Sequence, residues 1–166
     1  KEIVNFLKQK KIKTVIHAAS FTSIDFIEKN KKISFNNIYK ITNNISAACK
    51  EANTKLLYIS TDQLYSGCKK KYFEYSKISP VNYYGYLKKI SEEIVLKNSK
   101  NNLILRTNFF GFGTQYRKSF SDFIINSLKD KKKINLADDT FFSPVYVTTL
   151  IKIIFKLIKI NANGIF

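Results

Sequence analysis

The sequence predicts an α/β protein, a doubly wound parallel sheet with helices on both faces. Three observations lead there. Short apolar runs, Thr14-Val15-Ile16, Leu56-Leu57-Tyr58-Ile59 and Leu103-Ile104-Leu105, have the length and composition of buried strands. Longer stretches with helical spacing of apolar residues lie between them, and strands alternating with helices indicate βαβ units. The chain is also 45% apolar with few Gly or Pro, which fits a globular domain and not a disordered one.

Taken in order, Ile3, Val4, Phe6 and Leu7 mark an amphipathic helix within residues 1–10, and the first strand runs into His17-Ala18-Ala19. Ile33, Ile38, Ile41, Ile45 and Ala48 give the next helix an apolar face. The second strand, residues 56–59, opens into a Lys-rich polar loop that ends near Pro80. A helix over residues 84–97 follows, with Leu87, Ile90, Ile94 and Val95 inward, and then the third strand. Beyond Gly111 and Gly113, a helix carries Phe120, Phe123, Ile124 and Leu128, and a short strand is expected at residues 134–136. A last helix spans about residues 146–159, and Gly164-Ile165-Phe166 begins a final strand. The length of 166 residues fits a single domain. Within it, residues 1–107 are expected to form mainly the cofactor and catalytic part, and residues 108–166 to include part of a substrate-binding region. With no Met in the chain, Lys1 is not expected to be the biological start, and the sequence reads as an internal piece of a longer protein.

Composition narrows the function. No stretch reaches the roughly 18 uninterrupted apolar residues of a membrane span, and no apolar segment of a secretory signal follows Lys1. Two cysteines, Cys49 and Cys68, with no CxxC spacing and one histidine, fit a reduced cytoplasmic protein and no metal site. The net charge of +17 raises nucleic acid as a partner. The excess is nearly all Lys, however, with Arg106 and Arg117 the only arginines, and base or bidentate phosphate recognition favours Arg. The clusters at residues 69–71 and 131–133 fall where solvated turns are expected, so neither nucleic acid nor membrane is predicted as a partner.

In parallel α/β sheets, ligands sit beyond the carboxyl ends of the strands, which directs attention to residues 17–20, 60–62 and 106–110. Tyr84 and Lys88 lie four apart on one helical face. An ammonium there would favour the phenolate and bring Tyr84 below its ordinary value near 10. Such a Tyr can donate a proton to a carbonyl oxygen. Thr61, at a strand end, offers a hydroxyl to the same oxygen, and the trio suits hydride transfer from a nicotinamide. Spacing alone does not decide the matter, because ten tyrosines among many lysines also give Tyr65 and Lys69 the same separation, in a loop. His17 can equally be a strand-end residue with a satisfied imidazole, Asp62 a turn acceptor, and Phe109 and Phe110 core aromatics.

Read in order, these segments resemble the extended short-chain dehydrogenase/reductases, and within them the branch that reduces 4-keto nucleotide sugars. The resemblance rests on His17-Ala18-Ala19, on Asn37 followed by Asn43, on Ser60-Thr61-Asp62, and on Tyr72-Phe73-Glu74 followed by Pro80-Val81-Asn82-Tyr83-Tyr84-Gly85 and Lys88. It continues through Leu105-Arg106-Thr107 with Gly111, and through Asp138-Asp139 with Ser143-Pro144. The resemblance implies a Rossmann-like sheet in which Tyr84 is the proton donor, Lys88 holds the nicotinamide ribose and Thr61 orients the keto group. Ala18, Ala19, Ser20, Asn37, Ser60, Tyr84, Lys88 and Thr107 would contact NADPH or NADH. Asp62, Asn108, Phe109 and Ser143 would contact a 4-dehydro-6-deoxy nucleotide sugar. A homodimer is also implied.

The sequence departs from that family in places. No Gly-rich phosphate loop is present, so the fold expected is one lacking its N-terminal Gly-rich βα unit. Gln63-Leu64-Tyr65-Ser66-Gly67, Asn108-Phe109-Phe110, Phe142 and Thr148-Thr149 differ from the usual residues, which bears on the sugar pocket. An epimerase or another ketoreductase of the superfamily, or a non-catalytic relative, is the alternative.

Overall fold

The computed structural model describes residues 1–115, 118–138 and 142–166. Asp139, part of the predicted Asp138-Asp139 segment, lies outside the described residues. The chain forms two compact units, Lys1–Arg106 with Ile160–Phe166, and Thr107–Lys159. Among the described residues no helix is long and apolar enough to cross a membrane.

The first unit is a four-stranded parallel sheet in the order β1-β2-β3-β6, comprising Thr14–His17, Lys55–Ile59, Leu103–Leu105 and Gly164–Ile165. Val15 lies opposite Leu56, Leu57 opposite Leu103, and Ile104 opposite Ile165. The parallel α/β expectation holds. Leu56, Leu57, Leu103 and Ile104 are fully buried, which explains why these strands read as continuous apolar runs with no alternation. Helix α1 (Glu2–Gln9) precedes β1. The β1–β2 crossover contains α2 (Ile24–Lys29), α3 (Lys31–Phe35), a π turn (Asn36–Lys40) and α4 (Ile41–Glu51); the β2–β3 crossover contains α5 (Tyr83–Asn98). Helices α4 and α5 pack on each other and on β2.

The long crossover helix keeps its predicted face at Ile38, Ile45 and Ala48 and departs from it at Ile33 and Ile41. Ile33 and Ile41 are largely exposed, while Ser34, Ile38, Thr42, Ser46 and Cys49 are buried. The π turn inserts a wider turn between α3 and α4 and changes the helical phase, so the inward stripe is mostly small and polar. Residues 69–71 and 131–133 are exposed, as expected of solvated lysines.

Helices α1 and α4 end without glycine. Lys11 and Asn53 take the left-handed conformation at φ 50° and 51°. The following amides close the ends, Ile12 N donating to Leu7 O at 3.0 Å and Thr54 N to Cys49 O at 2.8 Å.

The second unit holds β4 (Phe109–Phe110), α6 (Phe120–Lys129), β5 (Val145–Tyr146) and α7 (Val147–Lys159). β4 and β5 pair in parallel, a small sheet not foreseen from the sequence. The strand expected at residues 134–136 is not formed; that segment is irregular. Its Ile-Asn-Leu alternation pairs with no strand among the described residues, and propensity alone does not make one. Helix α6 begins at a capping box in which Ser119 and Asp122 satisfy each other's backbone amides.

Asn102 joins the core of the first unit. It is 2% exposed; its Oδ1 accepts from Leu56 N at 3.0 Å and its Nδ2 donates to Val95 O at 2.8 Å. Replacing it by Leu strands a buried donor and a buried acceptor. Asn102→Leu is therefore expected to lower stability by about 2–3 kcal/mol in urea unfolding; an unchanged midpoint would contradict the pairing.

Candidate active site

β2 ends at Ile59, and Ser60 and Thr61 continue beyond its carboxyl end. Thr61 is extended and caps a short 3₁₀ turn (Asp62–Leu64), its Oγ1 accepting from Gln63 N at 3.2 Å. The N-terminus of α5 comes in beside this turn. Asn82 is its N-cap, with Oδ1 accepting from Gly85 N at 2.7 Å and Nδ2 donating to Gln63 Oε1 at 2.9 Å. Glu28 of α2 accepts from Tyr83 N at 2.5 Å, a carboxylate placed at the positive end of the helix. A Cβ at Gly85 would lie 2.4 Å from Gln63 O and 2.9 Å from Pro80 Cβ, so the two backbones approach as closely as they do because residue 85 has no side chain.

That approach brings Tyr84 and Thr61 together. Tyr84 is 8% exposed, packed in a cluster with Ile27, Ile38 and Leu87, and its phenol lies close enough to the Thr61 hydroxyl for the two to interact, while Thr61 Oγ1 donates to Asp62 Oδ1 at 3.4 Å. Burial raises the Tyr84 pKa; the nearby Thr61 hydroxyl opposes this and the Asp62 carboxylate adds to it. Lys88, one turn on, is 2% exposed. Its Nζ donates to Ile59 O at 2.6 Å and lies 4.2 Å from the centre of the Tyr58 ring. Burial brings the Lys88 pKa down to about 7, with Glu92 pulling the other way.

These values correct one expectation. The ammonium of Lys88 was expected to pull the Tyr84 pKa down, yet that pKa is raised. Lys88 directs its charge at the Ile59 carbonyl and the Tyr58 face, and desolvation dominates at Tyr84. Tyr84 accordingly holds its proton at neutral pH, the form a proton donor requires.

His17 ends β1 at 3% exposure, with Nε2 3.0 Å from Thr42 Oγ1. Thr42 donates its one hydroxyl proton to Ile38 O at 2.6 Å, so His17 is the donor in its own bond and carries its proton on Nε2. Burial and the nearby Lys88 bring the His17 pKa down to about 4. This is the satisfied core imidazole, not a catalytic base. Tyr58 is 1% exposed and its hydroxyl has no hydrogen-bond partner within bonding geometry; burial raises its pKa.

The other predicted residues divide. Ala18 and Ala19 are exposed and Ser20 half-buried just past β1, at the same end of the sheet as Thr61, with Ser20 Oγ donating to Phe21 O. Ser60 is buried and its Oγ has no partner. Asn37 donates its amide to Ile33 O at 2.9 Å, within its own helical segment. Asp62 lies in the 3₁₀ turn, close enough to act on Tyr84. In the second unit, Asn108 O accepts from Val145 N at 2.9 Å, Thr107 Oγ1 donates to Asn108 O at 3.3 Å, Phe109 is 51% exposed and Ser143 is exposed. The sequence reading missed Glu28, Gln63 and Glu92. Glu92 alone left a signal, a carboxylate four residues beyond Lys88 on an otherwise inward face.

Two outcomes follow. Gly85→Ala should cost about 2–3 kcal/mol by urea unfolding, because a backbone carbonyl must yield to the new methyl; a neutral substitution would contradict the close approach. His17 has a folded pKa below its unfolded value, so its contribution to stability is complete above about 6.5 and is lost as pH falls to about 4. Wild type should lose up to about 3 kcal/mol more than His17→Gln over that window; parallel curves would contradict a buried neutral His17.

Comparison with known proteins places the chain. It is 29% identical to a dTDP-4-dehydrorhamnose reductase of Aggregatibacter actinomycetemcomitans over 149 residues, 87% of this chain and 50% of that protein. The crystal structure of the dTDP-4-dehydrorhamnose reductase of Bacillus anthracis in complex with NADP superposes with a TM-score of 0.91 at 26% identity, covering 99% of this chain and 58% of that one. The reductase structure from Clostridium acetobutylicum gives a TM-score of 0.90 at 25% identity, with the same coverage. The chain thus spans about half the length of the curated relatives it matches. The profile of the RmlD substrate binding domain matches residues 1–166, and the chain belongs to that family.

Proposed function

We propose that this chain is the catalytic portion of an NADPH-dependent oxidoreductase that reduces the 4-keto group of a 4-dehydro-6-deoxy nucleotide sugar, as a dTDP-4-dehydrorhamnose reductase does. The observation that carries the proposal is the meeting of the Tyr84 phenol and the Thr61 hydroxyl beyond the carboxyl end of β2, with Lys88 one turn behind. Its relatives of that name support the substrate class.

The residues present fit the nicotinamide end of a cofactor. Ser60 Oγ is a buried polar atom with no partner, and Ala18 and Ala19 are exposed at the neighbouring strand end. Ser20 completes the proposed contacts of the first unit. Nothing in the sequence fits the pyrophosphate, since no Gly-rich turn follows a strand. When bound, the reduced nicotinamide supplies a hydride to the carbonyl carbon.

The chain's own residues supply the rest. Thr61 fixes the keto oxygen by a hydrogen bond from its hydroxyl. Tyr84, protonated at neutral pH, gives its proton to that oxygen as negative charge develops there. Lys88 keeps two ammonium protons beyond the one given to Ile59 O, enough to hold a ribose hydroxyl. Asp62 is the proposed sugar contact of the first unit.

The test is NADPH oxidation by the complete protein carrying this chain, given dTDP-4-dehydro-L-rhamnose. Tyr84→Phe should lower kcat by at least about a hundredfold, the scale of lost general acid catalysis. Turnover unchanged in Tyr84→Phe would remove Tyr84 as the donor, and no oxidation by the folded, cofactor-bound protein would remove this substrate.

A further inference from the structure

Arg106, just past β3, was singled out in the sequence but takes no part in the reaction described. Its side chain is 6% exposed and that of Glu92 is 4% exposed. Nη2 lies 2.7 Å from Glu92 Oε2, and Nε lies 3.1 and 3.2 Å from the two carboxylate oxygens. On its other side Nη1 donates to Tyr65 Oη at 3.0 Å and to Glu74 O at 2.8 Å. Tyr65 passes its own proton to Phe73 O at 3.0 Å and stacks on Tyr72 with ring centres 4.6 Å apart. One guanidinium therefore grips α5 with one edge and the loop that precedes α5 with the other.

Both grips have consequences. Glu92 lies one turn beyond Lys88 on the buried face of α5. A buried carboxylate without a counter-charge would draw the Lys88 ammonium, which instead bonds Ile59 O. The loop from Tyr65 to Asn82 is irregular and exceeds the roughly 12–15 residues at which such loops usually have a function. Its bonds such as Phe73 N to Ser76 Oγ and Lys69 N to Tyr72 Oη are local, whereas Arg106 reaches it from the sheet.

We propose that Arg106 is a positioning residue for the reaction centre, holding the Glu92 carboxylate in place of Lys88 and tying residues 65–76 to the helix that carries Tyr84 and Lys88. The catalytic meaning rests on the proposed reading of Tyr84 and Lys88. The fastening itself does not. Lysine cannot replace Arg106 fully, because one ammonium lacks the planar fork that spans a carboxylate and a loop together.

The test reads charge and fastening separately, in the chain itself. The groups facing Lys88 are His17 from β1, Tyr58 from β2 and Glu92 from its own helix, with Arg106 behind Glu92. With ¹³C,¹⁵N-labelled lysine, the Lys88 signal, identified by its loss in Lys88→Met, should titrate near 7. Arg106→Gln should raise that midpoint by about one unit or more. It should also speed tryptic cleavage after Lys69, Lys70 and Lys71 at least several-fold relative to Lys131, Lys132 and Lys133. Arg106→Lys keeps the charge, so it should restore the midpoint yet leave the loop fast to cleave. Glu92→Gln should move the midpoint below wild type, and it carries the charge test if Arg106→Gln does not fold. An unmoved midpoint in either neutral variant, or a loop as resistant as wild type in Arg106→Lys, would overturn the proposal. Failure of the catalytic reading would appear elsewhere, as unimpaired NADPH oxidation by Lys88→Met.

Discussion

The candidate site depends on one close approach, that of the Gly85 backbone to the Gln63 carbonyl. With any side chain at residue 85, α5 would stand away from the end of β2, and the Tyr84 phenol would leave the Thr61 hydroxyl. The surrounding polar contacts serve the same approach. Asn82 caps α5 with its carbonyl oxygen and holds Gln63 with its amide, and Glu28 takes the amide of Tyr83 from a different helix. A helix start, a strand end and a neighbouring helix are joined by three side chains within a few residues of Tyr84.

The second constraint is electrostatic. Lys88, Glu92 and Arg106 are each buried, in an interior where an unpaired charge is costly. Arg106 and Glu92 neutralise each other, and Lys88 meets desolvation with a carbonyl and an aromatic face in place of a carboxylate. The surplus of exposed lysine elsewhere is solvated and sets no comparable constraint.

Much of this was legible in the sequence, for physical reasons that differ by element. Strands β2 and β3 were readable because burial on both faces makes them continuous apolar runs. Helix α5 was readable because Asn82 caps it and Leu87 and Val95 anchor it. The crossover before β2 misled, because Ser34, Thr42 and Ser46 face inward beyond a π turn while Ile33 and Ile41 face out. Residues 134–136 have the composition of a strand but pair with none among the described residues, and the β4–β5 pair was too short to carry a period. Thr61, Tyr84 and Lys88 could be nominated from spacing and strand ends. The raised pKa of Tyr84 could not, since it depends on how deeply the phenol is packed against Ile27 and Ile38. Glu28 and Gln63 left no trace, because their roles arise from contacts between distant segments.

The central claim is that Thr61 and Tyr84 act on the same oxygen atom. A double-mutant cycle on kcat/KM for NADPH-dependent reduction, built from Thr61→Val, Tyr84→Phe and the pair, tests it most directly. If the two hydroxyls serve one oxygen, the losses overlap and the double variant falls little below Tyr84→Phe alone. Losses that multiply in full would mean that the two residues act independently, and would contradict the site as described.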